Sequence, residues 1–268
     1  MITNNVAGLA GGGVSIENSL RVVMRNNTIA NNDSTATTAL AGTGGLSATN
    51  PKPAGIVARG HVGDLALLMS VVTDPGMPTD WLSFSDPELV ANIVHQNRSY
   101  FWLNYDDPNT PIIETGLFPA NCWPAFCDPA AQAVADYTDD LGVLLTVGTG
   151  QLDPRRSLLS DTAANAAYIG TFGNITGDPA FVNAYLNGPR DNLNIPEFTT
   201  LQTAGAFDEG GNFIQVTYGP LTLDGYDYHI TGGSAAINQG GAPGGGRLAV
   251  DYDNQARANP MEIGADEL

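Results

Sequence analysis

The chain has 268 residues, of which 43 % are apolar, enough for a large buried core, and only 14 % are charged, against about 25 % in ordinary globular domains. Its 28 acidic residues outnumber 10 basic ones, giving a net charge of −18. A field of that sign repels nucleic acid and anionic membranes and leaves cations, neutral glycans and basic proteins as partners. No stretch of the sequence has the roughly 18 apolar residues a membrane-crossing helix needs.

The N-terminal segment carries a repeat. Ile2-Thr3-Asn4-Asn5 is echoed by Ile29-Ala30-Asn31-Asn32, and again by Asn92-Ile93-Val94-His95-Gln96-Asn97. Two short β-type runs, Val14-Ser15-Ile16 and Val22-Val23-Met24, lie between the first two copies, bounded by Gly11-Gly12-Gly13 and Asn26-Asn27. Short strands separated by Gly and Asn corners, recurring every 20–30 residues or so, are what a β-solenoid requires. Inward Val, Ile and Leu fill the core, and the corners need residues that tolerate the left-handed backbone region. Asn side chains repeated in this way are expected to stack into hydrogen-bonded ladders. Because Met1 starts inside the pattern, further repeats are expected upstream in the same polypeptide. The N-terminus has neither the basic nor the apolar region of a signal peptide.

Further along, residues 33–55 read as a polar loop. Residues 56–72 read as strand, turn and strand, and 74–91 as a proline-containing excursion before a strand at 91–95. Residues 99–140 are rich in Tyr, Phe, Trp, Pro and Asp, and read as a long insertion. Strands are expected at 141–147, at Ser157-Leu158-Leu159, at Tyr168-Ile169-Gly170, at Phe213–Thr217 and at Tyr228–Ile230. Helix signals are poor, because Gly and Pro interrupt every period of 3.6. This organisation divides one structural domain into repeats with loop excursions (1–98), an aromatic, Cys-containing insertion (99–140), and final repeats with a closing segment (141–268).

The C-terminal third carries an ordered series of motifs. Gly177-Asp178-Pro179-Ala180-Phe181-Val182 is followed by Asp227-Tyr228-His229-Ile230 and by Gly233-Ser234-Ala235-Ala236-Ile237-Asn238-Gln239-Gly240. Then come Asp251-Tyr252-Asp253-Asn254-Gln255-Ala256-Arg257 and Ile263-Gly264-Ala265-Asp266-Glu267. In this order they resemble the closing segment of bacterial right-handed parallel β-helix repeat proteins. Ala235 stands where that family has Pro, and Asn238 and Glu262 stand where it has Asp. The resemblance covers roughly 1–32 and 141–268 and leaves 99–140 without a counterpart. It implies an all-β, right-handed parallel β-helix (β-solenoid) with a loop-rich insertion and a closing segment, in an extracellular or cell-surface bacterial protein. It implies no single activity, since one scaffold hosts lyases, hydrolases, adhesins and inert stalks.

No catalytic constellation stands out. A Gly-x-Ser-x-Gly elbow is absent. His61, His95 and His229 are isolated in sequence, which argues against a histidine-rich metal site. Lyase chemistry would need a base such as Arg59, Arg98, Arg155 or Arg156, none of which neighbours a clear set of acids, and an anionic polymer would meet the protein's negative field. Asp178 before Pro reads as a turn residue. Three features remain. Asp251, Asp253, Asp266 and Glu267 offer hard oxygen ligands for calcium, or else a carboxylate clamp for Arg257 that ties down the last turn. Tyr100, Trp102, Tyr105 and Trp123 could stack on a glycan or dock a surface protein, or form a small core under the insertion. Cys122 and Cys127 are spaced for a short-loop disulfide, which fits an oxidising compartment. The sequons at Asn26, Asn32, Asn97 and Asn174 read as accidents of an Asn-rich chain. The expected role is a non-catalytic structural or binding domain, with carbohydrate binding or processing, or a place in a surface redox or adhesion assembly, as alternatives.

Overall fold

The computed structural model describes residues 1–38, 48–106, 113–120, 138–145, 148–163, 167–184, 226–241 and 248–268, without side-chain detail at 104–106 and 113–116. Cys122, Cys127, Trp123 and the strand expected at Phe213–Thr217 lie outside these residues, as does the side chain of Tyr105.

The protein is mostly β, with parallel sheets and few helices. The strands are short: β1 (Ile2–Thr3), β2 (Val6–Ala7), β3 (Val14–Ile16), β4 (Val23–Arg25), β5 (Thr28–Ala30), β6 (Asp33–Ser34), β7 (Ile56–Arg59), β8 (Glu88–Val90) and β9 (Ile93–His95). They continue with β10 (Arg98–Asp106), β11 (Ile113–Pro119), β12 (Leu141–Leu144), β13 (Leu158–Leu159), β14 (Phe181–Asn183) and β15 (Asp227–Ile230).

Strands from successive passes of the chain lie side by side. One sheet has the order β1-β5-β9-β13, all parallel, with Ile2 beside Ile29, Ile29 beside Val94 and Val94 beside Leu159. A second places β2 beside β6 and β6 beside β10, again parallel. A third has the order β12-β7-β3, and a fourth pairs β4 with β8. The space between them is filled by side chains such as Ile29, Val94 and Leu159 from the first sheet and Ile56 and Leu141 from the third. Alternation along each strand explains this: Ile29, Val94 and Leu159 face inward, and their neighbours Ile93 and Leu158 face the opposite side.

Polar ladders run across the passes. Asn5 donates its backbone N–H and Nδ2 to Oδ1 of Asn32, 27 positions away. Asn32 does the same to Asn97, 65 positions further on, at 3.1 and 2.8 Å. Asn97 does it to Asp140, at 3.2 and 2.8 Å. A second ladder runs Asn27, Asn92, Ser157, Asn174. The residue before a ladder position turns the corner with positive φ at Asn4, Asn31 and Gln96 in the first ladder, though not at Asp139, and at Asn26, Ala91, Arg156 and Gly173 in the second. The corners at Asn4, Asn31 and Asn26 follow the expectation from the Asn repeats, whereas Gln96, Ala91 and Arg156 put other residues in the left-handed region. Asn32 and Asn97 are fully buried, so these sequons mark ladder positions and are closed to modification.

Several expectations need correction. In residues 56–72 the second segment is a helix, α1 (Gly63–Met69). Asp64 lies in its first turn, and Leu, Ala and Met are strong helix formers. A short apolar run cannot be told from a strand by pattern alone. Within 74–91 there is a 3-10 turn at Thr79–Leu82, and β8 takes the place of part of the excursion. The boundary at 98/99 falls inside β10, which first pairs with β6 and then turns into an antiparallel hairpin with β11. Tyr168 makes a single parallel bridge with Leu152, not a strand. Residues 177–184 do not extend the parallel rows either, because β14 pairs antiparallel with β15.

The C-terminal segment instead covers the outer face of the first sheet. Ile230, Ala236 and Ile263 pack on Ile93 and Leu158. The N–H of Gly264 donates to the Ala91 carbonyl, and that of Ala265 to Oγ1 of Thr28. Gly264 has φ of 101°, and a Cβ there would lie 2.6 Å from Cδ1 of Ile93. Only glycine permits this approach. The Tyr228 hydroxyl accepts from Nδ2 of Asn4 and of Asn31, so β15 is fastened to the corner of two successive passes.

Candidate functional site

Within 226–268 the chain brings two polar clusters together. The first is built on Arg257, whose side chain is 1 % exposed. Its Nη1 donates to Oε2 of Glu267 at 3.2 Å and to the Asp266 carbonyl, and its Nη2 donates to the carbonyls of Gly264 and Ala265. Nε donates to the Val250 carbonyl. The arginine thus closes the last turn on itself, as the clamp expectation requires. Glu267 also accepts the N–H groups of Ala258 and Glu262. Burial, together with the neighbouring Glu267, pushes the Glu262 carboxyl up to about 7.

The second cluster is built on His229. Asp227 and His229 are two apart on β15 and so share a face. Oδ1 of Asp227 accepts both the backbone N–H and Nδ1 of His229. Nε2 lies 2.7 Å from Oδ2 of Asp253, in the 251–254 turn. Asp266 is buried and is held by the Ile230 N–H, which donates to its Oδ2 at 2.8 Å. Ligating atoms of His229, Asp253 and Asp266 all lie within 4.8 Å of one another. The hydrogen bond to Asp227, then the one to Asp253, raises the His229 pKa above its ordinary value. Tyr252 flanks the ring, with centroids 6.1 Å apart.

The expected calcium ligands are therefore divided. Asp253 and Asp266 turn to His229, whereas Glu267 belongs to Arg257. Asp251 is 7 % exposed. Its Oδ1 accepts the N–H groups of Asp253 and Gln255, and its Oδ2 is buried without a hydrogen-bond partner. His229 was set aside on sequence spacing, yet it is the centre of the cluster. The available signal was the Asp-x-His pattern on a strand. Its other partner, Asp253, is 24 positions away and reaches it only through the tertiary fold.

The aromatic hairpin is internally packed. Tyr100 is fully buried and packs with Leu117 and the half-buried Trp102, while Phe101, Leu103 and Phe118 pack on the other side. Tyr100 is thus removed from the contact surface expected of it, because a projecting hairpin must bury its own apolar faces to be ordered. Of the four arginines considered as lyase bases, Arg98 alone is buried. Arg98 is 1 % exposed and makes a bidentate pair with Asp33, at 2.7 and 2.8 Å. Arg155 pairs with Asp153 and Arg59 with Glu17. Nε2 of His61 is engaged with the Trp81 carbonyl. His95 is held down from its ordinary pKa by burial, against the pull of Asp140 and Asp178.

Among the described residues, no helix is long and apolar enough to cross a membrane. Compared with protein-family models, curated proteins and solved structures, the chain matches none of them.

Proposed function

We propose that this chain is an extracellular, non-catalytic structural or binding domain built as a right-handed parallel β-helix, belonging to a bacterial surface or secreted protein. The observation that carries the proposal is the in-register recurrence of one row through successive passes: Asn5, Asn32, Asn97 and Asp140 in a ladder beside Ile2, Ile29, Val94 and Leu159. Stacked passes that each contact only their neighbours give a rigid, elongated body, whose natural uses are display and spacing. The motifs in 177–268 resemble the closing segment of the same kind of protein. The burial of Arg98 in its pair with Asp33 removes one candidate base, which favours this reading over polysaccharide processing. The low charged fraction and the Asn- and Thr-rich composition fit a neutral glycan or another surface protein as partner.

The full chain, incubated with a panel of neutral and acidic polysaccharides, is expected to release neither reducing ends nor unsaturated uronates. Release from any polymer, abolished by a point substitution, would overturn the non-catalytic assignment. Small-angle scattering separately tests the shape, since the proposal requires an elongated particle.

A further inference from the structure

We propose that His229, Asp253 and Asp266 bind one divalent first-row transition cation of the zinc, cobalt or nickel class, with Asp227 as the positioning residue for the imidazole. The donors come from three separate parts of the chain: β15, the 251–254 turn and the final residues. Their ligating atoms lie within 4.8 Å of one another. Bonds of about 2.0–2.2 Å set tetrahedral donors roughly 3.3–3.6 Å apart on one ion, so the 2.7 Å contact between His229 and Asp253 opens and the wider gaps close. A small movement of Asp253, whose side chain is 41 % exposed, completes the set.

The nitrogen donor selects the class of ion. Calcium takes an all-oxygen shell, whereas an imidazole among carboxylates suits zinc and its neighbours. Asp227 on Nδ1 makes the carboxylate–histidine pair that fixes the ring orientation, and Nε2, which shares a proton with Oδ2 of Asp253, releases that proton to solvent when it takes the ion. The backbone N–H of Ile230 fixes Asp266 in the same way. Beside these donors one carboxylate oxygen is left without a partner. Asp251 adjoins Asp253, whose N–H it accepts, and its Oδ2 is buried with no hydrogen-bond partner. Arg257, the cation that could have served, is taken up by Glu267 and backbone carbonyls. A cation here would join β15 to the end of the chain and so fasten the closing segment. The inference rests on these side chains alone and does not depend on the β-helix assignment.

The test uses the full chain, stripped with chelator and titrated with Zn²⁺, Co²⁺ or Ca²⁺ alone by calorimetry, with thermal unfolding followed in parallel. The expected result is one Zn²⁺ or Co²⁺ per chain, an unfolding midpoint that rises with ion concentration, and no such response to Ca²⁺. Bound Co²⁺ should show visible absorption altered by His229→Gln. His229→Gln and Asp253→Asn, both at partly exposed positions, should each weaken binding at least about tenfold, and Asp227→Asn roughly tenfold through loss of ring orientation. Far-UV circular dichroism verifies that the variants fold. Failure to take up Zn²⁺ or Co²⁺ would overturn the site, as would uptake unaffected by His229→Gln, or Ca²⁺ binding lost in Asp253→Asn and kept in His229→Gln.

Discussion

At the scale of single residues, the corners show where backbone strain is held. Asn26, Ala91 and Arg156 occupy equivalent corners with φ of 53°, 54° and 47°. The left-handed region costs most residues about 1–2 kcal/mol and is tolerated by Asn. Arg156 is exposed and Asn already serves at the first of these corners, so Arg156→Asn should raise stability by ~0.5–1 kcal/mol, read as a higher urea midpoint with unchanged slope. Ladder residues respond in the opposite sense. Asn97 accepts two N–H groups from Asn32 and donates its own backbone N–H and Nδ2 to Asp140. Asn97→Ala leaves several of these groups buried and unpaired, at a cost of ~2–4 kcal/mol. Asn97→Asp keeps the acceptor but sets a second carboxylate against Asp140. Its stability should therefore recover as the pH is lowered and either carboxylate takes a proton.

At the scale of elements, β6 and β10 are joined across the row by the buried Arg98–Asp33 pair. Removing one partner from such a pair strands a charge and costs ~3–5 kcal/mol, whereas replacing both with apolar residues is often close to neutral. Arg98→Met is expected to behave in the first way, and Arg98→Met with Asp33→Leu to regain most of the loss, so a double-mutant cycle reads the coupling directly. The closing turn holds a pH-sensitive contact. Glu262 is raised by burial and by Glu267 from its ordinary 4.5 to about 7. The folded state thus holds this proton more tightly than the unfolded chain does. Its stabilising contribution is complete below about pH 4.5 and is lost as the pH rises through about 7. The unfolding midpoint should fall across that window, and Glu262→Gln should flatten the fall.

At the scale of the whole molecule, the C-terminal segment is the cover of one sheet face. Ile263 and Ile230 shield Ile93 and Leu158, and Arg257 keeps the last turn closed over them. Arg257→Gln leaves Glu267 buried without its cation, so the cover should loosen before the stacked rows do. Hydrogen exchange is expected to speed up first in 227–241 and 248–268 and in the amides of β9 and β13 beneath them, with β3, β7 and β12 still protected. Simultaneous loss of protection throughout would show that cover and rows unfold as one unit.

The amino-acid sequence alone determined the features that repeat locally. The Asn corners, the alternation of Ile, Val and Leu, and the scarcity of helix signals follow from backbone sterics and period, so the all-β class and the rows through Asn5, Asn32 and Asn97 were legible. The helix at Gly63–Met69 was not, because a short apolar run satisfies both periods. Sequence left a clamp on Arg257 and a calcium site as alternatives, and the structure places Glu267 and the carbonyls of Gly264, Ala265 and Asp266 around the guanidinium. Tertiary structure alone decided that the closing segment lies across a sheet face instead of extending the rows. It also decided that Asp253 and Asp266 meet His229 while Glu267 does not. Those meetings join residues from a strand, a distant turn and the final residues. Such distances are set by how the segment folds back over Ile93 and Leu158, and no local spacing encodes them.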